Sequence, residues 1–135
     1  MSSAVIALRK AVRVRLAADT ALAALLGGVK IFDTAPRDAL TPYVTFGDAL
    51  ARDLSASAYP GLEHVLTLHV WSTQGGTREG LTIADRVIAL VDDAGLTLDA
   101  HRLVNMRFTS LESVHEDLGR FVRVTLKFRA VTESA

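Results

Sequence analysis

Cysteine is absent from the 135-residue chain, so disulfides, thiolate metal sites and cysteine nucleophiles are excluded outright. Surplus charge is absent as well: fifteen Lys and Arg balance fifteen Asp and Glu. A nonspecific nucleic-acid binder carries excess basic side chains to displace counterions from phosphates. That class loses its usual support, and only a local basic stripe remains open. Long apolar runs are missing too. Arg9, Lys10, Arg13 and Arg15 interrupt the N-terminal stretch before it takes signal-peptide form, and no later run reaches bilayer-spanning length. The expectation is a chain made in the bacterial cytoplasm, or kept in a particle assembled there, with no membrane partner.

Half of the residues are hydrophobic, enough for a real core at this length. Ser3 to Leu26 reads as helix, with Val5, Leu8, Val12 and Leu16 at helical spacing. Asp19 is a good N-cap and offers a restart for a short second helix, which Gly27-Gly28 ends. Ile31 to Asp33 is a short strand and Tyr43 to Leu50 the first full one; Ala51 to Gly61 is a loop holding Ser55, Pro60 and an exposed Tyr59. Leu62 to Thr73 alternates: His64, Leu66, Leu68 and Val70 face one way, Glu63, Val65, Thr67, His69 and Trp71 the other. Thr77 to Asp93 is the second main helix, with Leu81, Ala84, Val87, Ile88 and Val91 on one stripe. Two closing strands follow, one placing Val104, Met106 and Phe108 on a single face, the other alternating Val122 to Ala130 with Arg123, Thr125, Lys127 and Arg129. Glu112 to Arg120 joins them as an acidic hairpin turn. The reading is one α+β domain over residues 1–135: an antiparallel β-sheet of about four strands with two main helices packed on one face.

No group of residues has the spacing of a catalytic set. His64 and His69 lie on opposite faces of their strand and cannot share a metal. His101 falls in a connection and His115 in the hairpin. Asp92-Asp93 ends a helix, where the macrodipole disfavours negative charge, and reads as a solvated end or a contact to a neighbour's arginine. Gly75-Gly76 before a helix lacks both the Lys-Ser/Thr of a P-loop and the third glycine of a dinucleotide fingerprint. Ser72 and Thr73 have no base partner. The expectation is therefore no enzyme, no cofactor and no metal. What stands out is the second strand face. Arg123, Lys127 and Arg129, with Arg107 from the preceding strand, form a basic stripe that is either a solvated face or a contact to an acidic neighbour or a passing polyanion. Val65, His69 and Trp71 make a subunit contact credible, burial of Trp71 in the core being the competing reading.

Val29 to Phe32, the Ala35-Pro36 pair and Pro42-Tyr43-Val44-Thr45-Phe46-Gly47 resemble the start of small tail-completion proteins of siphophages, related prophages and gene transfer agents. His64 to Ser72 is similar to that family's central strand, the Gly75-Gly76 turn and the Ile83-Ala84 helix follow in order, and Leu103-Val104, Phe108 and Phe128-Arg129-Ala130-Val131 fit its closing strands. Phe32 stands where the family often has tyrosine. The resemblance implies a tail terminator: a hexameric ring on the head-proximal end of the tail tube that stops its polymerisation and presents a surface for the head. The implied partners are further copies of the chain, the tail tube protein and the head-tail connector or neck proteins, while DNA passes the channel without specific binding. The loops carrying Tyr59 and Glu116-Asp117 are candidates for reaching tube or connector. Two alternatives stand beside it, a head-completion or neck connector protein and a small-ligand-binding α+β domain.

Overall fold

The computed structural model describes residues 3–54, 60–73 and 77–134. Helix α1 (Ala4–Ala17) opens on the Ser3 hydroxyl, which accepts from the Ile6 N–H at 3.3 Å. Asp19 accepts from the Leu22 N–H at 2.8 Å and starts a separate helix, α2 (Thr20–Leu26). Gly27 closes it at φ 78°, a left-handed conformation that favours glycine. Helix α3 (Arg78–Val91) buries Ile83, Ala84, Val87, Leu90 and Val91, with Leu81 and Ile88 at the margin of the core.

The strands are β1 (Ile31–Phe32), β2 (Tyr43–Phe46), β3 (Leu50–Asp53), β4 (Gly61–Ser72), β5 (Thr97–Leu98), β6 (His101–Glu116) and β7 (Phe121–Ser134). They form one seven-stranded mixed sheet curled into a half-barrel, which corrects the expected antiparallel sheet of about four strands with two main helices. The order is β1-β2-β4-β7-β6-β5, and β3 follows β2 along the same edge of β4, whose other edge β7 occupies throughout.

The correction has local causes. The Pro-containing connection from Asp33 to Pro42 brings the chain back alongside β1, so β1 and β2 pair parallel, Ile31 against Val44. The expected strand from Tyr43 to Leu50 breaks at Gly47 and resumes inside the expected loop. Leu50-Ala51-Arg52-Asp53 carries little strand propensity; it is a strand because β4 offers an open edge from Leu62 to Val65. At the break, a Cβ on Gly47 would stand 2.7 Å from both the Thr67 Cγ2 and the His69 Nε2. Arg9 of α1 ties this point down, donating to the Gly47 carbonyl at 3.1 Å and lying 4.7 Å over the Phe46 ring.

Two bulges in β6, at Val104 and Thr109, each add a residue against β7 and reverse the alternation. Met106 and Phe108 therefore face the helices as expected, while Val104 is exposed. Residues Glu112 to Glu116 are strand rather than turn, and the turn itself contracts to Asp117–Arg120. Asp92-Asp93 takes up the free edge of β6. The Asp93 N–H donates to the Met106 carbonyl at 2.8 Å, and the Asp92 carboxylate accepts from the Phe108 N–H at 2.8 Å.

All three helices contribute to a single core with the inner sheet face, where Val12, Leu22, Leu68, Val70, Val87, Val124 and Phe128 are fully buried. His64 is also on this face, its Nε2 2.9 Å from the Thr132 hydroxyl. Burial, then nearby His101, lowers its pKa.

Candidate assembly surface on the outer sheet face

Among the described residues, no helix packs on the other face of the sheet. Strand register sorts its side chains into rows that cross the sheet. Tyr43, Trp71, Arg123 and Val114 form the first. Thr45, His69, Thr125 and Glu112 form the second. Thr67, Lys127 and Ser110 form the third, and Leu50, Val65, Arg129 and Arg107 the fourth. Arg52 and Glu63 begin the last, beside Val131.

The face is therefore graded. At one end Trp71 gathers an aromatic cluster, with Tyr43 and Phe121 rings each 6.4 Å from its own and Phe32 5.9 Å from Tyr43. The Trp71 indole N–H donates to the Thr45 hydroxyl at 3.0 Å, and Arg123 lies 5.9 Å from the indole face. Trp71 is half-buried by these neighbours, with its ring on the outer face and not in the helix-covered core. In the middle, His69 Nδ1 is 2.9 Å from the Thr125 hydroxyl; burial, then Arg123, lowers its pKa. At the far end Glu63 accepts from Arg52 and Arg129, both at 2.5 Å. The Arg129 hydrogen bond, then that from Arg52, holds its carboxyl below the usual range.

All seven expected contact residues, Val65, His69, Trp71, Arg107, Arg123, Lys127 and Arg129, thus share one face. They do not make a bare basic stripe. Arg123 pairs with Glu116 at 3.1 Å, Arg129 with Glu63, and Arg107 reaches over the sheet edge to Asp92 and Asp93 at 3.9 and 3.8 Å. Lys127 alone of the four makes no side-chain ion pair among the described residues. Glu116 closes β6 and Asp117 lies in the following turn, 3.4 Å from Arg120. Tyr59 and Gly75-Gly76 fall outside the described residues. Tyr43, Phe32 and Phe121 are additional members of the face; the alternation of Pro42-Tyr43-Val44-Thr45 is the signal that places Tyr43 and Thr45 outward. Aromatic and arginine side chains around the buried Thr45, Thr67 and Thr125 match the composition of interface cores more closely than that of ordinary surface.

The model of the tail completion protein gp17 family matches residues 10–133. The chain belongs to that family. Its members are structural proteins of phage tails. A chain in the solved virion of a native gene transfer agent particle is similar to this tail completion protein at 31% identity, with a TM-score of 0.88 over 98% of this chain and 100% of that one. Comparison with curated proteins gave no match.

Proposed function

We propose that this tail completion protein is a tail terminator: copies form a hexameric ring on the head-proximal end of the tube, block further subunit addition and present the joining surface for the head. The observation that carries the reading is the end-to-end likeness to a virion-particle chain, over 98% of this chain and 100% of that one. The outer sheet face supports it. A closed ring needs two different patches on each copy, and a sheet face rich in Trp, Tyr, Phe and Arg supplies one. Its partners are then the next copy, the tube protein below and a connector above, inside a particle assembled in the bacterial cytoplasm. The test adds purified, gold-labelled protein to tails from a strain lacking the gene. Label at one end only, with full heads then joining, is the expected result. Label along the tube, or none, contradicts it, and label on heads rather than tails favours the neck-connector reading.

A further inference from the structure

The β6–β7 hairpin carries a feature that neither core nor sheet requires. Thr109 to Ser113 of β6 is exposed on both faces, although Leu126 and Val124 of β7 beside it are buried in the core. Its turn runs through three successive left-handed residues, Asp117 at φ 51°, Leu118 at φ 56° and Gly119 at φ 86°. Leucine rarely takes that conformation, and Leu118 is 104% exposed. A strained backbone that holds an apolar side chain wholly in water gains nothing within the monomer.

A cavity of about 300 Å³ lies at the opposite end of β6, between α1 and the chain entering β5. Ala7, Ala11, Val14 and Leu96 give it apolar walls, with Lys10 and Arg15 beside them. Arg102, paired with β5, and Glu116 are fourteen residues apart on β6, about 45 Å of strand. Tip and cavity therefore cannot meet within one molecule. Helix α1 carries Arg9, Lys10, Arg13 and Arg15 and no acid, and Asp99 lines the cavity beside Lys10. On the hairpin Arg120 pairs with Asp117 and Arg123 with Glu116, and Glu112 makes no ion pair among the described residues. Lys10 is held by Asp99 at 2.9 Å, an exposed pair that an incoming carboxylate can replace.

We propose that Leu118 of one copy docks in the α1–β5 cavity of the next copy, Asp117 facing Lys10, as the second contact of the ring; this rests on the ring reading above. The cysteine-free chain makes the test clean. Leu118→Cys and Val14→Cys are introduced together, and particles from the variant strain are oxidised and run under denaturing conditions. A ladder of covalent multimers is expected from the double variant, with each single variant remaining monomeric. A double variant that stays monomeric overturns the docking, and so does dimerisation of Leu118→Cys alone, since tip would then meet tip. Leu118→Asp, folded by circular dichroism, should raise the concentration needed for assembly roughly tenfold; unchanged assembly contradicts the proposal. Deletion of the gene separates the two levels. Normal tails in the deletion strain remove the ring reading, whereas disordered tails without cross-linking remove only this contact.

Discussion

Asp19 does two jobs with one carboxylate. It caps α2 through the Leu22 N–H and grips Arg86 of α3 at 2.6 and 2.8 Å. The Arg86 hydrogen bond is the main cause that lowers its pKa from 3.8 to about 2. A lowered carboxyl pKa stabilises the fold fully above the unfolded value and loses that stabilisation as pH falls through the folded one. The contribution is therefore complete above about pH 3.8 and disappears towards pH 2. Asn is also a good N-cap, so Asp19→Asn removes the ion pair while retaining the cap. The variant should have a lower urea midpoint than the parent at neutral pH, and the two should converge as pH approaches 2. Parallel curves down to that pH contradict the assignment. Asp19 as a cap is legible in the sequence, from its place before Leu22, Leu25 and Leu26. Its partner Arg86 is not, because 67 residues separate them and no local pattern joins the two.

At the scale of elements, legibility follows periodicity. Strand β4 and the distal half of β7 alternate strictly, and their faces are readable residue by residue. β6 is readable only between its bulges, since each extra residue turns the following side chains over. β3 escapes altogether: Leu50 to Asp53 pairs because an edge is open, a condition set by β4 and not by its own composition. The outer face is likewise readable as a set of residues but not as a charge distribution. Glu63 and Glu116 neutralise Arg129 and Arg123 only once the register is known. This face offers a direct optical test. Trp71 is the only tryptophan, half-buried beside Tyr43, His69 and Phe121. If the face is a subunit contact, assembly excludes water from the indole, and emission should move to shorter wavelength between free and assembled protein. Identical spectra in both states would place the contact elsewhere on the molecule.

The whole molecule has one core and two unlike outlying features, a graded sheet face and a hairpin tip opposite a cavity. Family resemblance reads across nearly the full chain, mostly from strand-core residues, and the family model matches over residues 10–133. The curl of the sheet and the reach of the hairpin are not in those residues. They arise from summed twist, two bulges and a turn shortened to Asp117–Arg120, and none leaves a signature in hydrophobic spacing. On the proposed ring reading the sheet face is one contact and the tip in the next copy's cavity a second, since a heterologous contact joins two different patches. The most direct measurement of that role is the tail-length distribution, by electron microscopy, of particles from a strain lacking the gene. Overlong or scattered tails, unattached to full heads, are the predicted result; tails of normal, uniform length would contradict a terminator.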